Sequence, residues 1–336
     1  RLTIDGNAVI EGNVSSGSGG AIYACLGSQE GDKPSAVEIG GSAKISGSTS
    51  TGNGGAIYVT GGSTLTVKES AKITGNATSG VPNGYGGAIY ADTATITMTG
   101  GTIENNRAKN GNSGNELYLT GNATFTMSGG KILHTDNRQA SQWTISLRSN
   151  ARLSISDGKI DLSAAPYAIE LIDNAILTAT GGTIIADGTT AAFKLAGNAV
   201  VYPKKAAVYA GENSEKAEYE AFPNANTYKS KYVKLVPGWE LTLDNNGHGR
   251  NLGKVIVPKN VGVKIPDLTD NAGQFVFTGW YHDQACTQAY AAQEAITADT
   301  TLYAGWVQSG SFGLSFSGVS QDTDNVWYLT FDPVTY

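Results

Sequence analysis

The sequence predicts an all-β chain whose first 208 residues wind as a right-handed parallel β-helix. Three observations carry this. One short pattern, an alternating segment, a Gly-rich turn and a further aliphatic residue, keeps returning along the chain. The segments alternate with period two and are rich in β-branched residues, which suits strands and not the helices of other solenoids. The spacing between copies varies while the pattern does not, as happens when loops differ in length and strands stay in register.

The clearest copies are Thr95-Ile96-Thr97-Met98-Thr99-Gly100-Gly101-Thr102-Ile103 and Thr124-Phe125-Thr126-Met127-Ser128-Gly129-Gly130-Lys131-Ile132. Arg152-Leu153-Ser154-Ile155-Ser156-Asp157-Gly158-Lys159-Ile160 and Ile176-Leu177-Thr178-Ala179-Thr180-Gly181-Gly182-Thr183-Ile184 follow. The first inward residue of each copy is Leu2, Val37, Leu65, Ile96, Phe125, Leu153, Leu177 and Val201, at gaps of 35, 28, 31, 29, 28, 24 and 24 residues. That makes about eight coils, a rod of roughly 38 Å at ~4.8 Å per coil. A second column, Asn122, Asn150, Asn174 and Asn198, stands three residues ahead of the inward position. Asn tolerates a left-handed turn, and stacked amides can hydrogen-bond from coil to coil. The preceding strands align as Leu117 and Leu119, Ile145 and Leu147, Ile169 and Leu171, and Phe193 and Leu195, which gives three strand segments per coil and a triangular cross-section.

Composition agrees: of 336 residues 44 are Gly, two are Met and only 15% are charged, a turn-rich β signature. A net charge of −6 argues against a nucleic-acid partner, which needs a basic face. No stretch approaches the ~20 apolar residues that cross a bilayer, so no membrane insertion is expected within this segment. The chain opens on Arg1 inside a strand pattern and stops after the strand-like Trp327-Tyr328-Leu329-Thr330-Phe331; both ends read as cuts through a longer protein, with any secretion signal or anchor outside. Cys25 and Cys286 fall in different regions and read as small buried hydrophobes, neither paired nor metal-binding.

The early coils carry an extra signature. Gly19-Gly20-Ala21-Ile22-Tyr23 recurs as Gly54-Gly55-Ala56-Ile57-Tyr58 and Gly86-Gly87-Ala88-Ile89-Tyr90, with a degenerate copy Gly114-Asn115-Glu116-Leu117-Tyr118. Upstream stand Ile10-Glu11-Gly12-Asn13, Ile73-Thr74-Gly75-Asn76 and Ile103-Glu104-Asn105-Asn106. This pairing of I-x-x-N with G-G-A-I resembles the repeats of the chlamydial polymorphic outer-membrane proteins and related bacterial adhesins, over about residues 1–120. The resemblance implies a secreted, surface-displayed passenger with adhesive function and carries over no catalytic residue.

Beyond Val208 the rhythm changes. Residues 209–237, mixed in charge and rich in tyrosine, read as a segment that covers the open end of the helix and links onward. Residues 239–307 resemble the Listeria–Bacteroides repeat, known from the B repeat of internalin-type surface proteins. The landmarks are Leu241-Thr242-Leu243-Asp244-Asn245-Asn246-Gly247, Phe277-Thr278-Gly279-Trp280-Tyr281, Asp283, Ala285-Cys286-Thr287, Ala289-Tyr290 and Thr297-Ala298-Asp299-Thr300-Thr301-Leu302-Tyr303-Ala304-Gly305-Trp306. The resemblance implies a small β-grasp-like module, with Trp280, Tyr303 and Trp306 read as its core. Residues 308–336 read as a linker, Ser309-Gly310-Ser311, then either the opening strands of a further β module or strands docked on the previous one.

Many parallel β-helices cleave polysaccharides, and that chemistry requires catalytic side chains brought together on neighbouring coils. Gly247-His248-Gly249-Arg250 is similar to a motif of pectin hydrolases of this shape, yet it lies in a turn outside the β-helix. Asp157, Asp161, Asp173 and Asp187 are scattered over neighbouring turns, whereas glycoside cleavage needs two carboxyls at ~5–9.5 Å. Lys131 and Lys159 share a turn column and read as solvating it; His134 and His282 have no nucleophile motif beside them. No phosphate loop and no calcium-type repeat is present. The chain is therefore read as a non-enzyme with no cofactor and no metal.

Two outward columns remain. Ile22 and Ala24 point inward, so Tyr23 points outward, with Tyr58, Tyr90 and Tyr118 stacked beside it; exposed rings in a row could meet a sugar or protein side chains, or simply shield a sheet face under long loops. The second is Thr66, Thr97, Thr126, Ser154 and Thr178, flanked by Thr64, Thr95 and Thr124. Regular Thr rows suggest ice binding, but Glu38, Arg152 and Tyr202 interrupt them and β-propensity alone accounts for surface threonine. The sequence thus points to a bacterial cell-surface adhesin or stalk, extracellular, whose Tyr23, Tyr58, Tyr90 and Tyr118 are the candidate ligand-binding residues and whose partner is a host surface protein or glycan. The alternatives are a carbohydrate-active β-helix enzyme and a passive spacer.

Overall fold

A computed structural model describes residues 1–27, 31–80, 84–109, 114–135, 143–188, 191–270, 273–309, 316–321 and 327–331; Gly310 and Ser311 of the expected linker lie outside them. Among the described residues the structure is all-β apart from one 3-10 turn, Thr227–Lys229. The chain divides into two compact units, one of residues 1–242 with 254–265 and 291–300, the other of 243–253, 266–290 and 301–336.

The first unit is built on a parallel β-solenoid. Each rung is hydrogen-bonded to the next in parallel, so identical positions of successive repeats lie over one another. On the first side the inward residues Leu2, Val37, Leu65, Ile96, Phe125, Leu153, Leu177 and Val201 are in register. The second side stacks Ile10, Ile45, Ile73, Ile103, Ile132, Ile160 and Ile184. The third stacks Ile22, Ile57, Ile89, Leu117, Ile145, Ile169 and Phe193. A short fourth segment, Val14–Ser15, Thr49–Ser50 and Ala77–Thr78, closes the early coils. From Val37 to Phe193 these stacked side chains are almost wholly buried; in the first rung, with a neighbour on one side, Leu2 stays 44% exposed. A buried Ile or Leu contributes about 1.5–3 kcal/mol, so the aliphatic columns are the main source of stability.

Thr95–Glu104, Thr124–Leu133 and Arg152–Leu162 each run through the first and second sides as one bent strand. The bend falls on the Gly-rich turn, where Gly101, Gly130 and Gly158 take positive φ. The G-G-A-I-Y motif has a similar cause. Gly54 has φ +72°, and at Gly55 a Cβ would collide with the Gly87 carbonyl of the next rung. Small residues are needed where rungs come this close.

The Asn column behaves as the spacing suggests. Asn150 donates to Asn122 at 3.1 Å, Asn174 to Asn150 at 3.1 Å and Asn198 to Asn174 at 3.0 Å. The left-handed conformation, however, belongs to the residue before each amide: Gly121, Ser149, Asp173 and Gly197. The amides extend from the turn and are free to align because the preceding residue makes it.

After Val200–Tyr202 the parallel pattern stops. Ala206–Gly211 and the long strand Tyr232–Asp244 pair antiparallel, and Tyr232–Leu235 also lies antiparallel on Ile184–Asp187. In the second unit Phe275–Tyr281 pairs antiparallel with Thr300–Gln308. Trp280 is 4% exposed and donates its indole N–H to the Pro266 carbonyl, while the half-buried Trp306 donates to the Asn245 carbonyl. Phe316–Gln321 and Trp327–Phe331 form an antiparallel pair of their own. The two cysteines are free thiols and both half-exposed, contrary to the buried reading: Cys25 follows the last buried residue of its strand, and Cys286 sits in a turn with φ +56°.

Candidate functional site

The four tyrosines singled out by sequence lie on the outward face of the third side, in strands Ile22–Ala24, Ile57–Thr60, Ile89–Asp92 and Leu117–Thr120. Parallel register places Tyr23 on Tyr58, Tyr58 on Tyr90 and Tyr90 on Tyr118. Their ring centroids are 4.9, 5.1 and 5.3 Å apart with planes within 14° of parallel, a continuous offset stack.

The geometry alters what the column can offer. Tyr58 and Tyr90 each turn a ring face to a neighbour on either side, so a partner meets ring edges and phenol hydroxyls. Exposure also falls along the column, from 57% at Tyr23 through the half-buried Tyr58 and Tyr90 to 8% at Tyr118. Tyr118 is covered because Tyr85 packs at 4.7 Å and the Arg148 guanidinium lies 5.8 Å from its ring centre. Burial pushes the Tyr118 phenol up to about 12, and burial followed by neighbouring phenols and Asp92 raises Tyr58 and Tyr90 as well. Tyr58, Tyr90 and Tyr118 are thereby kept neutral at physiological pH, with hydroxyls able both to donate and to accept.

The same column continues past Tyr118 as Ser146, Glu170 and Lys194. Glu170, 1% exposed, accepts from Ser146 at 2.9 Å, Arg148 at 2.8 Å and Lys194 at 2.8 Å. Burial alone would raise this carboxyl; Lys194, Arg148 and Ser146 together overcome that and hold it below the ordinary value.

Sequence reasoning missed a buried polar chain at the corner between the second and third sides. Asn76 donates to the Asn106 amide oxygen at 2.9 Å, Asn106 donates to Glu116 at 2.7 Å, and Glu116 meets His134 Nδ1 at 2.9 Å. All four are 2% exposed or less. Burial raises the Glu116 carboxyl, opposed by His134 and Asn106. A signal was present: Glu116 takes the place of the buried Ala56 and Ala88 in the degenerate motif copy, and an acid at an inward position requires partners.

The other chemistry-bearing residues serve their own turns. Asp157 accepts from Gly158 N–H, Asp161 pairs with Lys159 at 2.8 Å, and Asp173 accepts from Ser149 N–H. The His248 ring packs 3.8 Å from Phe275 and 6.0 Å from Trp306, so Gly247-His248-Gly249-Arg250 is a packing turn. The Thr64, Thr95 and Thr124 row is in register, and Thr124 reaches the Thr95 hydroxyl at 3.4 Å. Among the described residues no three His, Cys, Asp or Glu side chains cluster to hold a metal, and no helix is long and apolar enough to cross a membrane.

Residues 3–25 match the family profile of the Chlamydia polymorphic membrane protein repeat. No curated protein matches the chain. The matched segment holds Ile10-Glu11-Gly12-Asn13 and Gly19-Gly20-Ala21-Ile22-Tyr23, and with it the first tyrosine of the ladder. A polymorphic-membrane-protein-like repeat on a parallel β-solenoid fits a protein exposed at a cell surface.

Proposed function

We propose that this chain is a non-catalytic, extracellular part of a bacterial cell-surface protein, and that it binds a host surface protein or glycan through Tyr23, Tyr58, Tyr90 and Tyr118. The observation that carries the reading is the in-register tyrosine stack: phenol rings repeat at about 5 Å along the third side. Such an edge, half apolar and half hydrogen-bonding, suits the interface composition that favours tyrosine. The reading includes a β-helix of eight coils, supported by the inward series from Leu2 to Val201, and a cap formed by 209–237. It also takes 239–307 as a β-grasp-like B repeat, supported by its landmark order and by the buried Trp280. No cofactor or metal is needed.

The test is a glycan and host-protein array probed with the whole chain and with the Tyr58→Ala/Tyr90→Ala variant. Binding that disappears in the variant is the expected result. Unchanged binding removes the ladder from the interface, and no binding by either favours the passive spacer. Release of reducing ends or unsaturated sugars from a polysaccharide would overturn the non-catalytic reading in favour of a β-helix lyase or hydrolase.

A further inference from the structure

A hollow opens on the third side of the first unit, away from the tyrosine ladder. Two residues ahead of the aligned Ile145, Ile169 and Phe193 stand Trp143, Tyr167 and Ala191. The column therefore drops from two large aromatics to a methyl group. Trp143 and Tyr167 meet edge to face at 5.2 Å and form one wall. Beyond them the missing bulk at Ala191 leaves a cavity of about 560 Å³ floored by Phe193, with Lys194 and Lys229 at its margin. Tyr228 packs 5.8 Å from Phe193 and fixes that floor.

Among the described residues the lining of the hollow carries charge of one sign, and no acidic side chain lines it. The nearby carboxylate is Glu170, already bonded to both Arg148 and Lys194. Lys229, exposed on the 3-10 turn, has no ion-pair partner among the described residues. Arg148, Lys194 and Lys229 against Glu170 leave an excess of positive charge beside an aromatic wall. A pyranose ring turns its C–H face to aromatic rings, and a carboxylate on that ring would complete the ammonium groups.

We propose that this hollow binds a carboxylated pyranose, the terminal or branch residue of an acidic glycan, with the sugar ring against Trp143 and Tyr167 and its carboxylate on Lys229 and Lys194. The site shares no residue with the tyrosine ladder, so either can stand without the other.

The whole chain is titrated with D-glucuronate, N-acetylneuraminate, D-glucose and benzoate, and binding is read by saturation-transfer NMR and by calorimetry. Carboxylated sugars are expected to bind at millimolar concentration and glucose not to. Lys229→Glu should weaken them at least about tenfold, the loss of one good charge contact. Ala191→Phe, which refills the hollow, should abolish binding while the circular dichroism melt is unchanged. The Tyr58→Ala/Tyr90→Ala variant should bind them as wild type does. Absence of binding by either carboxylated sugar, equal binding of glucose, preference for benzoate over both sugars, or full binding by the Ala191→Phe protein would each overturn the proposal.

Discussion

The third side of the solenoid carries two different outer columns on one continuous stack. From Tyr23 to Tyr118 the rungs answer one another with aromatic rings; from Ser146 to Lys194 they answer with a hydroxyl, a carboxylate and an ammonium. The inner column beneath them hardly changes, running Ile22, Ile57, Ile89, Leu117, Ile145, Ile169 and Phe193. The fold is therefore set by the inner residues, and each outer rung needs only a partner that satisfies the one above. Function can vary along the outside with little effect on the coil beneath it.

Polar substitutions test that division, and the buried corner should be the most sensitive. Glu116→Ala removes the buried acid from between Asn106 and His134, leaving the His134 ring without its Glu116 partner while Asn106 keeps Asn76 and the Ile73 and Glu104 carbonyls, so it should cost about 3–5 kcal/mol; urea unfolding of wild type and variant measures it. A loss below 1 kcal/mol would mean that the corner is not load-sharing with the aliphatic core. Glu170 on the outer column should matter less. Glu170→Gln keeps the shape and removes the charge, at about 1–3 kcal/mol. Because its folded value is depressed, its contribution is complete above the unfolded value of 4.5 and is lost as pH falls through the folded value. The gap in melting temperature between wild type and Glu170→Gln should accordingly be widest near neutrality and close as acid is added; a gap that grows with acid would show the sign to be wrong. Smallest of all is the solvated amide ladder, where Asn150→Ala should cost under about 1 kcal/mol, read from the same unfolding curves. A larger loss there would make the outer amides structural in a way the comparison denies.

How much of this was legible in the sequence follows from the same division. Inward positions repeat with the coil, so the registers of Leu2 through Val201 could be aligned from aliphatic residues alone. The Asn122 to Asn198 ladder was legible too, because it also repeats once per coil. The turn conformation was misplaced by one residue, since Gly121, Ser149, Asp173 and Gly197 share a backbone angle and no side-chain type. For the tyrosines, position was readable and environment was not. Tyr85 and Arg148, which cover Tyr118, do not recur from coil to coil: Arg148 stands where the neighbouring rungs have Thr120 and Ile172. The Trp143, Tyr167 and Ala191 step went unseen for the opposite reason: a hollow is made by what is small, and an alanine gives no pattern to notice.

The strand Tyr232–Leu235 lies antiparallel on Ile184–Asp187, where every earlier neighbour on that side is parallel. A parallel stack is a template that can copy itself onto another molecule, rung by rung, into a filament. A reversed strand presents donors and acceptors in the wrong order for the next parallel rung, so addition at that face requires the strand to be peeled away first. The second side of the solenoid thereby carries its own stop to further parallel addition.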